Sequence, residues 1–172
     1  MKKFLKHFKK FKLTALIEGC AGVVSIVTSI VILILHQTVF SRDFGTPEKP
    51  KIVTYTGFYN QPIIGMIFFL SALLVIIFGI VTVYTAYPFL FKKDQKQEPK
   101  KIITWWGVTT GGFGLITAIF TFVMAFNQPS NAAMVKHHTV GLIVCGVILL
   151  LATIVQLLMI APRLLVRIEK EQ

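Results

Sequence analysis

Charged residues are scarce in this sequence. Asp, Glu, Lys and Arg make up 15% of its 172 residues, against roughly a quarter in an average soluble domain. So little charge cannot coat a globule of this size, and 55% hydrophobic residues cannot stay disordered in water. Cysteine is nearly absent. Cys20 and Cys145 form no CxxC pair, which argues against a disulfide-stapled secreted module and against a thiol-redox enzyme. Catalytic signatures are missing too: no phosphate-loop lysine motif, GxSxG, HExxH or DxxD pair occurs. Without a candidate nucleophile or an acid/base pair, an intramembrane hydrolase or transferase lacks its parts. The chain therefore reads as non-enzymatic and free of cofactors; haem is disfavoured because no His falls within an apolar run.

What the sequence has is apolar length. Crossing about 30 Å of hydrocarbon takes about 20 helical residues. Runs at 13–35, 63–87, 102–126 and 139–160 meet that length, and Glu18 is the one charged residue among them. The runs are unbroken rather than alternating, and too few to close a barrel. The expectation is an all-α integral membrane protein, a four-transmembrane-helix bundle forming a single domain. Segments 36–62, 88–101 and 127–138 then connect the helices, and 161–172 is a charged tail. Pro62 suits the first turn of the second helix, Pro88 opens the middle connection and Pro162 closes the fourth helix.

The net charge of +11 is distributed unevenly. Six Lys precede the first run, five Lys lie in 88–101 and three basic residues lie in the tail, whereas 36–62 carries three and 127–138 carries one. Cytoplasmic segments carry the excess of Lys and Arg, which predicts both termini and 88–101 inside, with 36–62 and 127–138 outside. Trp105 and Trp106, beside Lys100 and Lys101, fit an inner aromatic belt. The first run is too long for a cleavable signal and is expected to remain as an anchor. A Lys-rich composition without organelle signals points to a bacterial plasma membrane. Basic residues placed between apolar runs serve orientation and lipid contact, so nucleic acid is not an expected partner.

Several segments could carry function. On a helical wheel of 1–12, Phe4, Phe8 and Phe11 share one face and Lys2, Lys3, Lys6, Lys9 and Lys10 the other. This is the pattern of an amphipathic interfacial helix on the anionic inner leaflet. Glu18 lies five residues into the first span, about 8 Å below the boundary at 1.5 Å per residue. Intramembrane carboxylates are costly and mark functional sites. Antiparallel tracing brings Gln156, Tyr84 and Thr104 to a similar depth, with Thr109 and Thr110 slightly deeper. Such a cluster could bind a cation or relay a proton. A structural alternative pairs Glu18 with Lys12 or Arg163.

At the outer boundary, His36, His137 and His138 form a candidate pH-sensing or metal site. Against a metal, the adjacent histidines point about 100° apart on a helix, and no acidic cluster joins them. Small residues recur at four-residue spacing: Ala15 and Gly19, Ala21, Ser25 and Ser29, Gly107 and Gly111, Gly141 and Cys145. These faces suit close helix contact, within the bundle or with another chain. Residues 51–59 alternate in a way that fits a strand or hairpin over the bundle.

Three functions fit. The first is an accessory or interaction subunit of a larger transport or envelope complex, partnered by another membrane protein or by itself. The second is a small homo-oligomeric transporter or channel coupled to ions or protons at Glu18 and Gln156. The third is an immunity protein against membrane-active peptides.

Overall fold

The computed structural model describes residues 2–35, 39–43, 46, 48–49, 51–56, 62–91, 102–126 and 139–159. It contains four long helices and one hairpin: α1 (Lys2–Leu35), β1 (Val39–Asp43), β2 (Ile52–Thr56), α2 (Pro62–Phe91), α3 (Ile102–Phe126) and α4 (Thr139–Leu158). Each helix contains a stretch long and apolar enough to cross a membrane: Leu13–Leu35, Ile63–Pro88, Trp105–Phe126 and Val140–Leu158. The chain is a multi-pass helical membrane protein. Inside hydrocarbon a backbone must satisfy its own polar groups, which is why uninterrupted helices carry these runs.

Three boundaries differ from the sequence expectation. The α2 helix continues through Pro88 to Phe91 rather than ending at 87. Proline removes one ladder bond, to the carbonyl of Tyr84, and so near a helix end that loss is tolerated. The α1 helix is one unbroken element of 34 residues, about 51 Å at 1.5 Å per residue. The basic segment is thus continuous with the first span rather than a separate helix; its Lys and Phe side chains lie outside the described ones. The fourth helix ends at Leu158, and Pro162 lies outside the described residues.

Contact registers fix the directions. Ala86 lies against Gly19, and Val83 and Gly79 against Gly22, so α1 and α2 run antiparallel. Thr82 meets Thr110 and Ser71 meets Thr117, so α2 and α3 are antiparallel as well. Gln156 packs on Gly111 and Thr153 on Gly114, which makes α3 and α4 antiparallel in turn. The four helices pack in a ring, each on its neighbours, and α1 also touches α3 across the diagonal.

The distribution of polarity is inverted relative to a soluble bundle. Outward positions such as Val27, Met66, Ile119 and Leu151 are apolar and exposed, while Ser, Thr, Gln and Glu side chains are buried. Lipid removes the hydrophobic drive between helices, so close approach and interhelical hydrogen bonds hold them instead. The interior is zoned. An apolar cluster of Ile32, Phe68, Val75, Ala118, Met124, Ala125, Leu142 and Leu149 fills the half where α1 ends. Ala15 and Ala86, with Leu90, close the opposite end. Polar groups occupy the length between, and Ser71 and Thr121 are interleaved with the apolar cluster.

Beyond α1, β1 and β2 pair antiparallel from Val39 opposite Thr56 to Asp43 opposite Ile52. Thr46 and Lys49 bridge within the connection, Lys49 N–H donating to the Thr46 carbonyl at 2.9 Å. The alternating 51–59 stretch thus supplies the second strand of a hairpin.

Candidate functional site: a polar seam in the glycine groove of α3

Gly107, Gly111 and Gly114 lie on one face of α3 and leave a groove along it. Side chains from α1 and α4 fill that groove in order. The Glu18 carboxyl group of α1 lies on Gly107, where an added Cβ would come within 2.7 Å of its carboxyl carbon. One turn on, Leu157 Cγ and Gln156 Cβ would be 3.2 and 3.3 Å from a Cβ at Gly111, and Thr153 Oγ1 would be 2.5 Å from one at Gly114. Glu18, Gln156 and Thr153 are each 0% exposed. Glycine is what allows this approach, because any side chain at 107 or 114 would occupy the space of the polar group opposite.

Glu18 is the only ionisable side chain fully enclosed among the described residues. Its candidate ion-pair partners Lys12 and Arg163 lie outside the described side chains. Gln156 is enclosed with neither amide atom hydrogen-bonded, and the Thr153, Ser25 and Ser29 hydroxyls likewise have no hydrogen-bond partner. An unsatisfied buried donor or acceptor costs about 1–3 kcal/mol. Several on one seam are therefore a feature to be explained by use.

The α2 and α3 side of the interior contrasts with this. There the hydroxyls bond back to their own helices: Thr82 to the Phe78 carbonyl, Thr110 to that of Trp106, Thr117 to that of Phe113 and Thr121 to that of Thr117. They also meet across the interface, Thr82 and Thr110 at 3.1 Å and Thr117 with Ser71 at 3.0 Å. Each hydroxyl has one hydrogen, so the cross-helix and backbone bonds share it. Below the Thr82–Thr110 pair, Trp106 stacks on Phe78 at 5.7 Å, and Phe78 on Phe113 at 5.6 Å.

Of the residues the sequence suggested for this site, the structure brings Glu18 and Gln156 to adjacent turns of one groove. Tyr84 does not join them: it is 77% exposed on the outside of α2. Thr109 also faces outward, its hydroxyl donating to the Trp105 carbonyl, and its neighbour Thr110 takes the inward position. A step of one residue turns a helix by about 100°, and depth alone does not choose between the two. The Thr104 side chain, His36, His137 and His138 lie outside the described residues; among those described, no three His, Cys, Asp or Glu side chains gather. Cys20 and Cys145 are free thiols.

Sequence reasoning passed over Ser25, Ser29 and Thr153 as polar groups of the site. A signal existed: Ser25 and Ser29, Thr153 and Gln156, and Thr110, Thr117 and Thr121 each recur at helical spacing on one face. The small-residue faces are used inside the bundle, since Ala15, Gly19, Ala21, Ser25, Ser29, Gly107 and Gly111 are all buried.

Set against known protein families, curated proteins and solved structures, the chain matches none.

Proposed function

We propose that this chain is a non-enzymatic, multi-pass protein that handles a proton or a monovalent cation at Glu18 as part of membrane transport. The carrying observation is the enclosure of the Glu18 carboxyl group in the α3 groove, one turn from the enclosed Gln156 side chain. A carboxyl group can take up and release a proton or a cation, which is the elementary step of ion coupling. A single carboxyl group matches a single positive charge. This seam lies within one copy, so the reading needs no second copy to build the site. It is favoured over an accessory-subunit role because the small-residue faces of α1 and α3 that would serve docking are buried within the bundle. An immunity role has no residue that speaks for it.

The rest of the reading follows the charge distribution. Both termini and the connection between α2 and α3 lie in the cytoplasm of a bacterial plasma membrane, and Glu18 sits in its inner half. The basic start of α1 contacts the anionic inner leaflet.

Reconstitution in liposomes tests the proposal. Proton and sodium uptake driven by a potassium diffusion potential are expected in wild type, and Glu18→Gln is expected to abolish the uptake with insertion and monodispersity preserved. Equal uptake of both ions by wild type and Glu18→Gln would reject it.

A further inference from the structure

Five polar groups now stand in sequence along one side of the interior. The antiparallel registers make α1 and α3 parallel, so positions equally far beyond Glu18 and Gly107 share a level. Ser25 is seven residues beyond Glu18, as Gly114 is beyond Gly107. Since Thr153 sits in the Gly114 groove, Ser25 and Thr153 are level with each other. Gln156, against Gly111, falls between them and Glu18. Ser29 lies one turn further on. From Glu18 to Ser29 the file covers eleven residues of α1, about 16 Å. Beyond it stand Ile32, Phe68 and Leu142, all enclosed and apolar.

Two properties of this file select the species it serves. An alkali or alkaline-earth cation needs some six oxygens converging on one centre, whereas these groups are spread over successive turns. Each of the four groups past Glu18 can both donate and accept a hydrogen bond, so each can orient a water in a proton-conducting file. None of those four is hydrogen-bonded to protein, although all are enclosed. Their hydroxyls and amide are thus available to water, which satisfies buried polar groups when two to four of them surround it.

We infer that the α1–α4 seam of Gln156, Thr153, Ser25 and Ser29 is a hydrated proton path that leads from Glu18 about two-thirds of the way across the bundle, to a last barrier formed by Ile32, Phe68 and Leu142. This rests on the reading of Glu18 as an ion-handling group and narrows it to the proton. Ser25, Ser29, Thr153 and Gln156 are positioning residues here: they hold the water file, and the proton resides on Glu18.

Two readouts test it. The first is silver-ion labelling of Ser25→Cys and Thr153→Cys in a background with Cys20→Ser and Cys145→Ser, since silver reacts with thiols that water reaches. Both are expected to be labelled, and Ala125→Cys, enclosed in the apolar cluster beyond the plug, is expected to resist. Unlabelled thiols at both seam positions overturn the hydrated path whatever Glu18 does. The second is proton uptake in liposomes. Ser25→Ala and Thr153→Val are expected to lower it about tenfold or more, and Thr153→Ser, which restores a hydroxyl of the same chain, to regain most of it. Thr153→Val keeps the shape of threonine, so loss of flux with normal thermal stability is not a folding defect. Sodium uptake abolished by Glu18→Gln, with proton uptake unchanged, keeps the reading of Glu18 and overturns the proton path. Proton uptake lost in Glu18→Gln yet intact in Ser25→Ala and Thr153→Val also overturns the path. Unchanged uptake of both ions in Glu18→Gln instead rejects the reading of Glu18 itself.

Discussion

Gly107 has no side chain, and the Glu18 carboxyl group occupies the space that one would take. Overpacking a filled interior costs about 1–3 kcal/mol, and here the displaced group is the one on which function is proposed to depend. Gly107→Ala is expected to lower thermal stability in detergent by about that amount and to reduce ion uptake along with it. Gly112→Ala makes the opposite case on the same helix, because nothing lies within 4 Å of the added methyl. There alanine's better helix propensity leaves stability unchanged or raised by up to about 1 kcal/mol. Equal losses in the two variants would mean that α3 tolerates no methyl anywhere and that the Glu18 contact is not special. The four-residue spacing of Gly107 and Gly111 marks a contact face in the sequence. That the face would receive an acid, an amide and a hydroxyl is invisible there, since spacing names a groove and not its filling.

At the scale of elements, α2 and α3 are joined by hydroxyls rather than by large apolar knobs. Thr117 donates to Ser71 at 3.0 Å, and its alternative acceptor is the Phe113 carbonyl at 2.9 Å on its own helix. Removing Ser71 therefore leaves the Thr117 hydrogen a second place to go. Interhelical hydrogen bonds in membranes average about 0.6 kcal/mol in double-mutant cycles, and this pair is expected to lie near that value. A cycle of Ser71→Ala and Thr117→Val, read by unfolding from mild detergent, checks it. A coupling near zero would reduce the contact to packing alone. The α2 helix also illustrates why its end escaped the sequence: Pro88 signals a stop in water, but close to a helix terminus it costs one bond, and the helix runs on to Phe91.

The whole molecule combines an apolar outside, a polar seam and an apolar plug nearer the hairpin end. Its proposed orientation follows from basic residues outside the spans and can be checked independently of any activity. A reporter active only outside the cytoplasm is expected to be active when inserted in 36–62 and silent when inserted in 92–101. The reverse pattern would place Glu18 in the outer half and turn the proposed path end for end.

The number of spans and the second strand of the hairpin were legible because each is a property of a contiguous stretch. Lipid demands about 20 apolar residues and an internally bonded backbone from every segment separately, so 13–35 or 102–126 declares itself without its neighbours. Which side chains turn inward is decided between segments. Threonine and tyrosine are tolerated both toward lipid and toward other helices, and one residue of rotation exchanges the two. Only the packed bundle therefore separates Thr110 from Thr109, sends Tyr84 outward, and brings Glu18, Gln156 and Thr153 into successive turns of the same glycine groove.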